Sequence, residues 1–217
     1  MNLPKKEECG KFHKSNVTAA EQQIILAKHN ELRAMVANGL ETRGTPGPQP
    51  GATNMRELTW NIQLAEVAQA WAQQCNRGHD SYDDRKICDP DYTVGQNIYY
   101  GWSFEPANAL EKAIQHWYDE VEDMPNTYVD SFTSAGAPGV IGHYTQVVWA
   151  DTYEVGCGAI HYPATHGTTT YPQSKIYVCN YGKAGNWKNQ EVYESGDAAT
   201  NCPAGTADSV AYPGLCA

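Results

Sequence analysis

The sequence predicts an α+β domain, with helices packed on an antiparallel sheet. Three observations carry this. Apolar residues recur at helical spacing up to residue 122 and at strand spacing only after residue 144. Helix and strand patterns never alternate as a βαβ unit requires. The 217 residues include 6 Trp and 14 Tyr, enough aromatic surface to demand one large core. No internal repeat or second core is visible.

Residues 1–17 read as an extended arm. Thr18-Ala19-Ala20-Glu21 is a capping box, which satisfies the free amides of a helix start. Ile25, His29, Leu32 and Val36 follow at helical spacing, and Gly39 stands where a C-cap belongs. Residues 41–56 hold the turn-rich run Thr45-Pro46-Gly47-Pro48-Gln49-Pro50-Gly51. A second helix places Trp60, Leu64, Val67, Ala68, Trp71 and Cys75 on one stripe, with Asn61 as N-cap. Residues 76–104 show no helical period. Pro106 opens a third helix, over 106–122, that buries Leu110, Ile114, Trp117 and Val121. The stretch 130–142 is loop. Thr145–Ala150, Val155–Tyr162 and Lys175–Tyr181 are β-branched and aromatic runs and read as strands. Residues 183–217 are rich in Gly, Ala, Asn and Asp and read as irregular. Three regions result: the arm 1–17, a domain 18–190 and an extension 191–217 pinned by cysteine.

Composition excludes several function classes. With 15 basic and 25 acidic residues the formal charge is −10. That disfavours nucleic acid and anionic lipid surfaces as partners. No apolar run approaches the roughly 18 residues of a membrane span. Seven cysteines without a CxxC pair point to a disulfide framework and an oxidising compartment rather than a metal set. Asn16-Val17-Thr18 is the one N-glycosylation sequon, with Asn16 as acceptor. The polar stretch Met1–Lys14 has no apolar signal core, so Met1 reads as the start left when a signal peptide is trimmed away.

Two stretches carry a resemblance. Gly142-His143-Tyr144-Thr145-Gln146-Val147-Val148-Trp149 and Tyr177-Val178-Cys179-Asn180-Tyr181-Gly182-Lys183-Ala184-Gly185-Asn186 resemble the two signatures of the CAP superfamily, which holds cysteine-rich secretory proteins, antigen 5 allergens and plant pathogenesis-related proteins. The loop Gly39–Pro50 and the segment Val67–Cys75 resemble venom and salivary antigen 5 proteins. The resemblance covers about residues 18–190. It implies a three-layer αβα sandwich and a cleft lined by two histidines and two acids. Carried over by position, these are His79, His143 and Glu120, while the fourth position, in Gly95-Gln96-Asn97-Ile98, holds the amide Gln96.

The chemistry of this set has three readings. Imidazoles suit zinc or another divalent cation, and His79, His143 and Glu120 would make a His2Glu site with one open position. A hydrolase or protease would also need a base, and Gln96 cannot accept a proton. Gln96 can still orient a histidine through its carbonyl oxygen. The third reading is a polar network between helix and sheet. A serine-nucleophile variant would rely on Ser81, the one serine close to His79 in sequence. Elsewhere, His29 reads as a satisfied core histidine, and His116 as an i,i+4 neighbour of Glu120. His161 and His166 flank a loop, and Trp60, Trp71 and Trp117 read as core packing.

The resemblance pairs Cys157 with Cys179 and Cys9 with Cys75. Cys202 and Cys216 are expected to pair with each other and hold the tail, and Cys88 is then odd: it would pair with a cysteine outside this sequence, swap with the tail cysteines, or bridge two chains of an otherwise monomeric protein. The resemblance also implies a secreted, non-enzymatic, allergenic protein of venom or saliva. Its partner would be a small hydrophobic ligand (fatty acid, eicosanoid or sterol) or a host protein, with no cofactor required. The candidate walls of a lipid cleft are the helices at 18–38 and 106–122. An ion-channel toxin of the cysteine-rich type would need a cysteine-dense C-terminal module, and only Cys202 and Cys216 follow residue 180.

Overall fold

The structure is a computed structural model and describes residues 9–88, 92–104 and 109–217. Helix α1 (Ala19–Ala37) starts at the predicted capping box: Thr18 Oγ1 accepts from Glu21 N, and Glu21 Oε2 accepts from Thr18 N at 2.9 Å. Gly39, at φ +66°, leads the chain out of α1 through the left-handed region. Asn61 Oδ1 caps helix α2 (Ile62–Ala72) by accepting from Gln63 N and Leu64 N. Trp60 lies before that cap, in the two-residue strand β1 (Thr59–Trp60), and Cys75 lies beyond the helix in left-handed backbone. The α2 stripe is therefore shorter than its sequence pattern.

Three longer strands complete the sheet: β2 (Val94–Gly101), β3 (Glu154–His166) and β4 (Thr169–Gly182). Their order is β1-β3-β4-β2. Both β2 and β3 pair antiparallel to β4, while β1 runs parallel to β3, so the sheet is mixed at that edge rather than wholly antiparallel. Alternate residues of β4 enter opposite layers. Ile176 and Val178 join Ala68 and Ala72 of α2, while Tyr177, Cys179 and Tyr181 join the cluster that also takes in Ile25, Leu32 and Val36 of α1. Gly156 and Gly158 let α2 lie directly on β3, because a Cβ at either would strike the backbone of Ala65 or Gln69. The result is the three-layer αβα sandwich.

Two segments depart from the sequence pattern. Strand β2 falls in the region without period, because Gly95, Gln96 and Asn97 are buried there and no polar face remains to alternate. The run 145–150 is not a strand. Its first three residues are the second half of the short helix α4 (Gly142–Val147), whose first turn is held by an acceptor from elsewhere: Glu120 Oε2 takes His143 N at 2.8 Å and Tyr144 N at 3.2 Å. Tertiary contacts override the β propensity of Val147 and Val148, both fully buried. Helix α3 (Leu110–Asp119) continues as a 3-10 turn at Glu120–Asp123 and buries Leu110, Ile114, Trp117 and Val121 as expected. Pro106 lies outside the described residues.

The C-terminal stretch is not a separate appendage. Val192, Tyr193 and Leu215 belong to the main core. Ala52 pairs with Ser195, and Arg56 and Asp208 both pair with Cys216. Cys9–Cys75, Cys157–Cys179 and Cys202–Cys216 are bonded, and Cys88 is free and exposed. Fully buried Arg33 fastens α1 to the rest by donating to the carbonyls of Arg56, Val147, Trp149 and Thr152, at 2.6–3.0 Å. No helix among the described residues is long and apolar enough to cross a membrane.

Candidate functional site

The four residues singled out by position stand in the structure as two pairs. The first joins the end of α3 to the start of α4. His143 Nδ1 donates to Glu120 Oε1 at 2.6 Å, and Oε2 takes the two α4 amides already described. A carboxylate at a helix start also meets the positive end of the helix dipole. The Trp117 ring lies nearly parallel to His143, with centroids 6.4 Å apart.

The second pair is His79 Nδ1 donating to Gln96 Oε1 at 2.8 Å. Gln96 Nε2 in turn donates to Asn180 Oδ1 at 3.0 Å. The two pairs hang on consecutive residues of β2, because Asn97 Nδ2 donates to the His143 carbonyl at 3.1 Å. Asn97 also donates to Tyr181 OH at 3.4 Å, and Tyr181 OH donates to His29 Nε2 at 2.9 Å. His29 closes the chain by donating Nδ1–H to Ile25 O at 2.8 Å. It is the satisfied core histidine expected, and burial pushes its pKa down to about 4.

A cleft of about 330 Å³ opens beside the second pair. Its lining includes His79, Asp80, Arg85, Gln96, Gln146 and Trp187, but neither His143 nor Glu120. Buried Asp80 meets Arg85 Nε at 2.5 Å, and burial outweighs that partner to raise the carboxyl above its usual range.

These contacts decide what the site can do. In both histidines Nδ1 faces an oxygen acceptor and so carries a proton. Each histidine offers a nitrogen of the kind a divalent cation takes. The residues do not form the His2Glu set, since both Glu120 oxygens are occupied by His143 and Tyr144. Among the described residues no three His, Cys, Asp or Glu side chains gather to hold a metal ion. Ser81 Oγ donates to Asp84 Oδ2 at 2.7 Å and so turns to Asp84 rather than to His79.

The remaining histidines differ in part from expectation. His116 packs edge-on against Tyr99 instead of pairing with Glu120, whose oxygens are taken. His161 is buried inside β3 rather than beside a loop; its Nε2 lies 3.0 Å from Tyr177 OH, and burial lowers its pKa to about 4. His166 ends β3 and stacks on Trp102, with Arg77 also over that ring at 4.2 Å. Trp117 is fully buried, while Trp60 and Trp71 pack against the core from partly exposed positions.

The expected lipid walls are closed. Ile25, Leu32 and Val36 of α1 share one packed cluster with Leu110, Ile114 and Trp117 of α3. A trough of about 480 Å³ runs along α2 beside Asn16, Val17, Trp60, Ile62, Ala65 and Gln73, and a groove of about 430 Å³ lies on the outer face of α3 beside Tyr99 and His116. Sequence reasoning missed three amides around the second pair. Asn180 holds Gln96, Gln146 Oε1 accepts from Gly185 N at 2.9 Å, and Asn186 Oδ1 accepts from Thr145 Oγ1 at 2.6 Å. All three lie inside the two signature stretches, which was the available signal.

Comparison with known proteins agrees with this architecture. The model of the cysteine-rich secretory protein family (CAP) matches residues 26–181. Venom allergen 5 of Dolichovespula arenaria is 46% identical over 195 residues, covering 87% of this chain and 89% of its own. The venom allergen 3 homolog of Dinoponera quadriceps is 43% identical over 187 residues, covering 86% and 77%. The crystal structure of NaASP2 with Zn2+ superposes with TM-score 0.73 at 28% identity, covering 93% of this chain and 97% of that one.

Proposed function

Since the chain belongs to the cysteine-rich secretory protein family, we propose that it is a secreted, non-enzymatic binding protein of the antigen 5 type, taking a small hydrophobic ligand. One observation carries the non-enzymatic part. Glu120, the one carboxylate of the two pairs, already accepts three N–H groups, and its counterpart Gln96 is an amide that cannot take a proton, so neither histidine has a free carboxylate partner within its pair. The trough along α2 supports the ligand. Its volume lies in the range of small-molecule sites, and Val17, Trp60, Ile62 and Ala65 give it apolar walls beside the amides of Gln22, Gln69 and Gln73. A fatty acid, eicosanoid or sterol matches that mixture of surfaces.

Native mass spectrometry of the protein purified from its source tests the reading. A bound lipid of defined mass is the expected result. A bare protein that also ignores added fatty acid would shift the function to a host-protein partner. A second reading has its own observation: among the described residues no hydrogen bond engages Nε2 of either His79 or His143. On that reading the pair binds a divalent cation, as the NaASP2 structure with Zn2+ invites. Stoichiometric zinc, together with hydrolase turnover abolished by His143→Ala, would replace binding with catalysis.

A further inference from the structure

We propose that Asn16 carries an N-linked glycan, attached before α1 folds, and that its first sugar stands over the rim of the trough along α2. The proposal rests on the secretion part of the function above and goes beyond it. Asn16-Val17-Thr18 is the one sequon in the chain. Asn16 is exposed at a bend between two fixed points, the Lys14–His161 bridge and the capped start of α1. Neighbouring Ser15 is held by Gln73 Nε2 at 2.9 Å. The Asn16 amide makes no hydrogen bond among the described residues. It lines the trough together with Val17, Trp60 and Gln73, so a sugar on Nδ2 starts at the mouth of the site on an anchored stretch of chain.

The order of events follows from Thr18. The sequon needs its hydroxyl, yet in the folded chain Oγ1 accepts from Glu21 N at 3.3 Å and donates to Glu21 Oε2 at 2.9 Å. The hydroxyl is free only while α1 is unformed. In the transfer, Nδ2 of Asn16 bonds to C1 of a lipid-pyrophosphate-linked oligosaccharide. The C1–O bond to the pyrophosphate breaks, the lipid pyrophosphate leaves, and the amide gives up one proton.

The test expresses the full chain behind a cleavable secretion leader in insect cells. Intact mass is measured before and after peptide N-glycosidase, beside the Asn16→Gln variant. The expected result is a discrete mass excess that the glycosidase removes and Asn16→Gln lacks, with aspartate found at position 16 after cleavage. Secreted protein of bare polypeptide mass overturns the site. In a second arm, folded bare protein and the reduced, unfolded chain are each given microsomal transferase and lipid-linked oligosaccharide. Only the unfolded chain should gain mass; equal gain by the folded protein overturns the order of events. In a third, acrylamide quenching of Trp60, taken as the difference from Trp60→Phe, should fall when the sugar is present, and equal quenching overturns the rim placement. Forced secretion isolates the site from the native compartment, so finding the source protein inside cells would overturn the proposed function and leave these results standing.

Discussion

Acid should unfold this protein partly through His29. The ring is fully buried, donates to Ile25 O, accepts from Tyr181 OH and has positively charged Arg33 nearby. Burial is the largest cause that lowers its pKa, from 6.5 to about 4. Between those two values the unfolded chain binds a proton that the folded chain refuses. The stabilisation is therefore complete above pH 6.5 and is lost as pH falls toward 4. At about 1.4 kcal/mol for each tenfold change, the loss across the window is about 3 kcal/mol. The assay is urea unfolding at pH 7, 6, 5 and 4 for the natural chain and for His29→Gln, which keeps a donor and an acceptor but cannot titrate. The carboxylates and His161, which titrate in overlapping ranges, act on both chains alike and cancel in the comparison. The natural chain should lose stability more steeply than the variant, by about one proton through the window. Parallel slopes would refute the assignment of a neutral, buried His29.

Other expectations can be checked with similar material. Arg33→Met leaves several buried carbonyls without a donor and should cost about 4 kcal/mol, read as a drop of about 10 °C in melting temperature. Replacing Cys157 and Cys179 by Ala opens a bridge of sequence separation 22 and should cost about 3 kcal/mol in guanidinium unfolding. Thr18→Ala removes the α1 cap and should cost about 1 kcal/mol by the same measurement. On the cation-binding reading, Gln96→Glu puts a carboxylate behind His79 and should tighten zinc binding about tenfold by calorimetry, with His143→Ala as the weakened control.

The sequence made the helices legible because their ends are chemical events. Thr18, Glu21 and Asn61 announce α1 and α2 through hydrogen bonds that span only three residues. What failed depends on distant partners. The α4 segment reads as a strand until Glu120, 23 residues upstream, is seen to hold its first amides. Strand β2 shows no period because its amides face a polar interior that only the folded chain supplies. The site was legible by resemblance alone, since His79 and His143 lie 64 positions apart and nothing local joins them. The structure adds how the four are held: His79 bonds Gln96, His143 bonds Glu120, and both pairs are tied to neighbouring residues of β2. The helices read as candidate lipid walls close on each other, which was illegible for a related reason: an apolar helical stripe looks the same whether it closes on a neighbour or lines a gap.

The Cys202–Cys216 bond changes what damage to the C-terminal stretch would look like. It encloses a loop in which Val210 is 99% exposed, while Ser209 N still bonds Leu215 O and Ala207 N bonds Ala217 O. A protease that cuts beside Val210 frees two ends that stay tethered by the sulfurs and by those backbone bonds. Leu215 keeps its place in the core. A nicked molecule would therefore migrate, bind and melt like an intact one, and its history would surface only on reduction. In a fluid rich in peptidases, a population of such chains could accumulate wear without losing shape.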